Sequence, residues 1–166
     1  DNIFYPTRGN YWQLSSFINR KFLGSDVSFN SLKLDMRFYR PLFRNHVLAF
    51  QGVFESASGS PPFRHYPKLG GNSLMRGYYS GRFMDRNLAA FQAEYRLPVF
   101  WRLGLVGFAG FGGVSDSLNN FRLNDLKYSV GFGIRFKILP RDGTNVRIDI
   151  AFGENTSGLY FTALES

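Results

Sequence analysis

The chain contains no cysteine and only two histidines. The absence of cysteine excludes a disulfide framework and a thiolate site. His46 falls in a predicted turn and His65 in a predicted loop, and neither has a partner at the spacing of a metal site. A Ser-His-Asp arrangement could be assembled only by free choice among many serines, and Gly70 and Gly71 do not open a helix that would cradle a phosphate. The sequence therefore predicts a protein that is not an enzyme and has no cofactor and no metal.

Long apolar runs and clustered charges are also absent. No stretch approaches the roughly 20 consecutive apolar residues of a membrane-spanning helix. The net charge of +8 comes from basic residues scattered singly along the chain. A nucleic-acid partner is not predicted, because such proteins gather their basic residues on one face. No signal peptide precedes Asp1, which predicts a mature chain or a fragment.

The chain is instead rich in aromatic residues and glycine, with 19 phenylalanines, 9 tyrosines and 18 glycines among 166 residues. This composition and length predict a single all-β domain over residues 1–166. Apolar and polar residues alternate with a period of two along eight stretches, most clearly in the second, where Asp35 separates Leu34 from Met36. The predicted strands are Asn10–Arg20, Phe29–Arg40, His46–Glu55, Asn87–Leu97, Trp101–Val114, Leu126–Leu139, Asn145–Gly153 and Gly158–Ser166.

The lengths and connections of these strands predict a transmembrane barrel. A tilted strand crosses a bilayer in roughly 9–11 residues, and short and long connections alternate, as on the periplasmic and outer sides of an outer-membrane barrel. The polar face, with its small and charged residues, is predicted to line a lumen. A soluble lipocalin-like ligand-binding barrel with an apolar core is the alternative. If the bulky face contacts lipid, six of its residues should be highly exposed on the chain alone: Leu34, Met36, Ile134, Phe136, Ile148 and Phe161.

The longest connection, from about Ser56 to Arg86, carries the most distinctive motif. A loop of about 30 residues inside a compact domain is uncommon and usually functional. Its centre, LGGNSLMRGYYSGRF, resembles the inward-folded loop of the BamA/TamA-type outer-membrane assembly and translocation barrels, the bacterial surface-antigen superfamily. The hallmark of that loop is an Arg-Gly-aromatic tip preceded by Gly-Gly. The resemblance continues through FQAEYRLPVFWRLGLVGFAGFGGV, KYSVGFGIRFKI and NVRIDIAFG to GLYFTALES, and it is closest to the short stand-alone members.

The resemblance implies a fold and a position for the loop. The family barrel has sixteen strands, so this chain is similar to its C-terminal half. The expected fold is an antiparallel transmembrane β-barrel with eight strands in this chain, either closed or half of a sixteen-strand barrel. The loop between the third and fourth strands is expected to fold inward.

The resemblance also implies roles for particular residues. Arg76 is expected to reach into the lumen and pair with Glu94, and the alternative is an Arg76 exposed at the loop tip. The family often has a second acidic partner on the following strand, where this chain carries Gly110. The remaining members of the lumen-loop motif are Gly70, Gly71, Gly77 and Tyr78, of which the glycines supply backbone conformations closed to other residues.

The function that the resemblance implies is the insertion or translocation of proteins, or of lipids, at a bacterial or organelle-type outer membrane. The expected partners are the lipid bilayer, client outer-membrane proteins or lipids, and either a second copy of the chain or the missing amino-terminal half of the barrel. A passive structural barrel or pore is the alternative function.

Closure of the sheet is a separate question, because an eight-stranded barrel has room for side chains and little else. A loop of about 30 residues should not fit inside such a barrel. Either the chain pairs with more strands, or it closes with the loop displaced. Pairing of Asn10–Arg20 with Gly158–Ser166 within one chain would indicate closure.

Overall fold

The computed structural model describes residues 6–21, 27–139 and 144–165. Over these ranges the structure consists of β-strands and short 3₁₀ turns. Eight long strands form one antiparallel sheet, in which each lies beside the next long strand along the chain. They are β1 (Gly9–Asn19), β2 (Phe29–Pro41), β3 (Val47–Gly59), β6 (Asn87–Phe100), β7 (Leu103–Ser115), β8 (Lys127–Leu139), β9 (Thr144–Gly153) and β10 (Thr156–Glu165). The prediction of an all-β fold with eight antiparallel strands is confirmed.

The strand boundaries differ from the predicted ones at several ends. β3 continues to Gly59, because it pairs with β2 along the whole length of that strand. Trp101 and Arg102 were assigned to a strand by their alternation, but they form the two-residue turn between β6 and β7. Trp101 has a positive φ of 51° there. Ser166, the predicted end of the last strand, lies outside the described residues.

The connection between β3 and β6, residues 60–86, has structure of its own. It contains the two-residue strands β4 (Lys68–Leu69) and β5 (Phe83–Met84), which pair antiparallel with each other. This ladder closes the base of the loop and leaves residues 70–82 as its tip. Short 3₁₀ turns occur in this connection and in two others: Phe43–Asn45, Phe63–His65, Leu118–Asn120 and Leu123–Asp125. No helical segment in the described ranges is long and apolar enough to cross a membrane.

The loop covers one face of the sheet, which we call the inner face. Two small clusters of buried apolar residues lie on it. The first joins the loop to β3 and β6 and consists of Val53, Leu69, Met75, Tyr78, Leu88 and Ala90. The second lies on β7 and β9 and consists of Val106, Phe108 and Ala151, with Tyr160 of β10 packed against it. The larger cluster is therefore built between the loop and the sheet.

The opposite, outer face carries the bulky residues of the alternating pattern. Four of the six residues predicted to be exposed are between 41% and 69% exposed: Ile134, Phe136, Ile148 and Phe161. Leu34 and Met36 are only partly exposed, so the prediction is wrong at these two positions. Leu34 lies in register between Leu14 and Phe54, and Met36 lies opposite Trp12. Large neighbours on the adjoining strands shield both side chains from solvent.

The sheet is open along both edges. Within the described residues, β1 has β2 as its only neighbouring strand and β10 has only β9. The pairing of Asn10–Arg20 with Gly158–Ser166 that would mark closure is not found there. Each edge strand therefore has one side without a neighbouring strand in the part of the chain that the structure describes.

Candidate functional site

The candidate site is the tip of the loop and the inner-face residues that it contacts. Gly70, Gly71 and Gly77 have positive φ values of 105°, 132° and 108°. The tip is held together by a backbone hydrogen bond of 3.0 Å in which the N–H of Gly71 donates to the carbonyl of Tyr78. The resulting turn projects Arg76 toward the sheet, where its side chain is almost completely buried.

Arg76 contacts two carboxylates on two different strands. Its Nη2 lies 2.7 Å from Oε2 of Glu94 on β6, and its Nη1 lies 2.7 Å from Oδ2 of Asp149 on β9. The guanidinium also stacks over the ring of Phe108, with 3.5 Å between Cζ and the ring centroid. A planar guanidinium suits this position, because it can direct separate N–H groups at two carboxylates and still present a face to an aromatic ring. Arg76 is thus not exposed at the loop tip.

The second carboxylate was not identified from the sequence as a partner of Arg76, although its charge was expected on the lumen-facing side. The family pattern pointed to the strand after Glu94, where Gly110 stands, and that position supplies no acid. It receives Met75 instead, whose Sδ would lie 3.3 Å from a Cβ added at Gly110. The acid comes from Asp149, two strands further on, and its side chain is fully buried. The sequence does indicate the direction of this side chain. Asp149 lies between Ile148 and Ile150, and the alternation places it on the inner face of β9.

Three further arginines complete what we call the charge cluster. Nε of Arg96 lies 2.7 Å from Oε1 of Glu94. Arg135 contacts both acids. Its Nη1 donates a hydrogen bond to Oδ1 of Asp149, and its Nη2 lies 3.8 Å from Oε2 of Glu94. Nε of Arg147 lies 3.6 Å from Oδ2 of Asp149. The cluster consists of Arg76, Glu94, Arg96, Arg135, Arg147 and Asp149, so four cations surround two anions.

The backbone of the loop tip is bonded to β8 and β10. The hydroxyl of Ser129 donates to the carbonyl of Arg76. The N–H of Gly77 donates to Oη of Tyr160 over 2.8 Å, and that hydroxyl donates in turn to the carbonyl of Tyr78 over 3.2 Å. These bonds satisfy polar groups that the loop buries against the sheet, as buried backbone groups require.

Tyr78 anchors the other side of the tip. Its side chain is fully buried, and its hydroxyl donates to the carbonyl of Tyr128 over 2.8 Å. The same hydroxyl accepts a 2.8 Å hydrogen bond from the N–H of Glu154. The ring lies against Gly153, where an added Cβ would overlap it. Glycine at 153 therefore provides the space that Tyr78 fills.

Gly77 is required by both its conformation and its surroundings. Its φ of 108° is one that L side chains rarely adopt, and an added Cβ would lie 2.9 Å from the carbonyl carbon of Phe152. Because that neighbour is backbone of β9, it cannot move aside as a flexible side chain would. Gly77 thus allows the chain to pass directly over the sheet between Arg76 and Tyr78.

Polar side chains hold the amino-terminal half of the tip. Nε2 of Gln92 on β6 donates to the carbonyl of Ser73 over 2.7 Å and to Oε1 of Gln51 over 2.9 Å. Nη2 of Arg147 donates to the carbonyl of Asn72. The tip is therefore attached to β6, β8, β9 and β10, which together span more than half of the sheet.

The chemistry of this site is that of a structural clamp. No group of three or more His, Asp or Glu residues in the described ranges could hold a metal ion. The carboxylates are bound by arginines, and among the described residues no nucleophile is paired with a base at the tip. At the rim of the site, Nζ of Lys127 lies 2.8 Å from Oε2 of Glu154, and this hydrogen bond lowers the pKa of the Glu154 carboxyl from its ordinary value. The arrangement can fix the loop against the sheet and keep the enclosed charges paired.

Comparison with known proteins bears directly on this fold and site. No curated protein matches the chain significantly. The family model of the Omp85 superfamily domain matches residues 1–163, almost the whole chain. This match includes the loop, every residue of the charge cluster and the eight long strands, the last of them as far as residue 163. The chain belongs to the Omp85 superfamily.

Proposed function

We propose that residues 1–166 form one outer-membrane domain, part of a transmembrane β-barrel that aids the insertion or translocation of proteins, or of lipids. Membership of the Omp85 superfamily supports an outer-membrane protein and, at the level of the family, a role in assembly or translocation. The observation that carries the proposal is the contrast between the two faces of the sheet. Bulky apolar residues are exposed on the outer face, whereas most of the charge cluster is buried on the inner face.

Exposed apolar residues occur on both edge strands and on the strands between them. Among them are Trp12, Leu14, Phe132, Ile134, Leu159 and Phe161, each at least 45% exposed. Soluble monomers rarely expose apolar patches larger than a few hundred Å². A soluble ligand-binding barrel would pack these bulky side chains in its interior and expose its charged side chains to water. The opposite arrangement favours lipid as the solvent of the outer face.

A charge placed on the outer face tests this arrangement. Ile134 lies near the middle of β8 and is 45% exposed. We expect Ile134→Arg to lower the free energy of unfolding by about 2–4 kcal/mol in lipid vesicles, the cost of arginine near a bilayer midplane. Leu123→Arg is the control, because Leu123 is 82% exposed in a connection outside the strands. Its expected change is within about 0.5 kcal/mol. Urea-induced unfolding measures both, and equal effects would argue against lipid contact at β8.

The two open edges of the sheet require additional strands if the sheet spans a bilayer. In hydrocarbon, unpaired backbone N–H and C=O groups have no water to bond to, so only a closed barrel is stable there. We propose that β1 and β10 pair with strands from a second copy of this chain or from the amino-terminal half of a larger barrel. The loop occupies space on the inner face that a closed eight-stranded barrel would need for its own side chains.

Cysteine cross-linking identifies the strands that pair with the edges, because the chain has no cysteine of its own. Leu14→Cys near the middle of β1 is combined with Leu159→Cys or Phe161→Cys on β10, which samples two registers. After mild oxidation in vesicles, pairing with a second copy gives a linked dimer on a non-reducing gel. Pairing with a missing half gives no link between these positions. A linked monomer would contradict the proposal, and Leu14→Cys alone is the control for accidental dimers.

The superfamily resemblance implies a mechanism without bond chemistry, in which a weakly paired seam and local thinning of the bilayer admit a client, while the loop braces the lumen. The open edges and the clamped loop are consistent with it. The experiment is depletion of the protein from its host, followed by measurement of outer-membrane protein assembly. Loss of assembly supports the proposal, and normal assembly favours the passive barrel or pore. Solubility of the purified chain without detergent would instead favour a soluble barrel.

A further inference from the structure

The end of the sheet that carries the short connections has a cavity that shares only Arg135 with the charge cluster. It has a volume of about 310 Å³ and lies between the turns at residues 42–46 and 101–102. Its polar lining includes Asn45, His46, Arg102, Arg135 and Lys137. Pockets that bind small groups start at about 300 Å³. The cavity is therefore large enough for a phosphate headgroup.

All the charged side chains that line this cavity among the described residues are positive. Three of its lining residues are cationic, and no acidic residue lines it in the described part of the chain. Arg135 already contacts Asp149, whereas Arg102 lies in the turn beside Trp101, so we take Arg102 as the cation that a ligand at the mouth of the cavity would contact. The connections at the other end of the sheet carry acidic residues, among them Asp116 and Asp125, together with arginines such as Arg82 and Arg122. The cationic lining of the cavity therefore favours an anionic ligand.

Exposed aromatic side chains surround the same end. Phe43, Phe100 and Trp101 are 69%, 77% and 76% exposed. Aromatic side chains at this height of a membrane barrel contact the boundary between headgroups and acyl chains. Trp101 also lines the cavity, and the guanidinium of Arg102 lies 4.7 Å from the centroid of its ring. An apolar surface for acyl chains thus adjoins a cationic cavity.

The turn that presents these two residues is strained. A two-residue hairpin turn with positive φ favours glycine or asparagine, yet Trp101 has a φ of 51°. Bulky residues at positive φ persist where the surroundings require them, and such outliers occur often at binding sites. The turn holds Trp101 and Arg102 at the mouth of the cavity despite this unfavourable backbone conformation.

We propose that this cavity binds the phosphate of an anionic phospholipid, with Arg102 as its principal contact and Trp101 against the acyl chains. Arginine is suited to phosphate, because its N–H groups can bond two phosphate oxygens at once. Stacking on Trp101 leaves the edge of the guanidinium available for such bonds. The inference depends on the proposed bilayer placement, because Trp101 must lie at the membrane surface.

Quenching of tryptophan fluorescence by brominated lipids tests the site. The chain has two tryptophans, so Trp12→Phe leaves Trp101 as the only reporter. The protein is reconstituted in phosphatidylcholine vesicles containing either brominated phosphatidylglycerol or brominated phosphatidylcholine at equal mole fraction. We expect about a fivefold enrichment of the anionic lipid beside Trp101, the preference that one arginine at a membrane surface provides. Arg102→Gln should abolish this excess.

Matched arms separate the ways in which the inference can fail. Arg122→Gln, an exposed arginine in a connection at the opposite end, should leave the excess unchanged, and loss in both variants would indicate only general surface charge. Soluble glycerol phosphate should not compete, and competition would indicate a free phosphate ligand. Equal quenching by the two lipids overturns the lipid site and leaves the proposed function intact. No quenching by either lipid overturns the bilayer placement itself.

Discussion

Replacing Asp149 by asparagine is expected to lower the free energy of unfolding by about 3–5 kcal/mol, the usual cost of removing one partner from a buried ion pair. The side chain of Asp149 is fully buried and contacts Arg76 and Arg135 directly and Arg147 at 3.6 Å. Asparagine keeps the shape and one acceptor oxygen but removes the charge. Within the charge cluster, four cations would then face Glu94 alone, in a site with little access to water.

The matched control is Asp35→Asn, the same chemical change on the same face of the sheet. Asp35 is also buried, but its cationic partner Arg37 is 40% exposed, and its other partner, Gln51, is neutral. Water can therefore solvate Arg37 after the change, and the expected loss is about 1 kcal/mol. Urea titration of each variant in the same vesicles gives the comparison. Equal losses at the two positions would show that the charge cluster has no special weight in stability.

The two faces of the sheet could be predicted from the sequence because a strand leaves little freedom in side-chain direction. A slip of one residue would exchange the faces completely, so Ile134 and Arg135 could not both be placed on the same side. The exposure of each residue was harder to predict, because it depends on its neighbours. Leu34 and Met36 have the parity of Ile134, yet larger side chains on β1 and β3 shield them.

The partners of Arg76 illustrate what a local pattern can and cannot reveal. Glu94 could be assigned because the family motif and the parity of β6 both pointed to it. Asp149 was missed because it lies 73 residues from Arg76, and the approach of their side chains depends on the path of the loop across the sheet. The β4–β5 ladder was missed for a simpler reason, since two residues are too few to show a period.

Replacing Arg76 by alanine is expected to release the loop while the sheet stays folded. Its main effect should therefore be on the loop, whereas the main effect of Asp149→Asn should be on the stability of the whole fold. Without Arg76, Glu94 still contacts Arg96, and Asp149 still contacts Arg135 and Arg147. The change therefore removes a cation from a cluster that holds more cations than anions, and leaves no carboxylate without an arginine. Measured from the state in which the loop is open, the unfolding free energy of the sheet should change by less than about 1.5 kcal/mol, a typical value for a point substitution.

The loop itself loses two charge-assisted hydrogen bonds, each worth roughly 1.5–3 kcal/mol. Its opening should become at least about a hundredfold more frequent, since every 1.4 kcal/mol is a factor of ten in population. Chymotrypsin cleavage after Tyr79, an exposed residue of the tip, follows that population when opening is fast relative to cleavage. Arg82→Ala is the matched control, because Arg82 lies in the same loop and contacts aromatic rings at 5.5–5.8 Å. It should leave the cleavage rate nearly unchanged.

The same pair of variants connects the clamp to function. If the loop braces the lumen during assembly, Arg76→Ala should fail to restore outer-membrane protein assembly in cells depleted of the protein, whereas Arg82→Ala should restore it. Arg76→Lys should fall between them, because an ammonium is a single point charge that cannot bond Glu94 and Asp149 with separate, rigidly directed N–H groups. If Arg76→Ala restores full assembly although its loop is cleaved rapidly at Tyr79, then the clamped loop is not needed for assembly. The charge cluster would then serve only to keep Arg76 and its neighbours paired inside the fold.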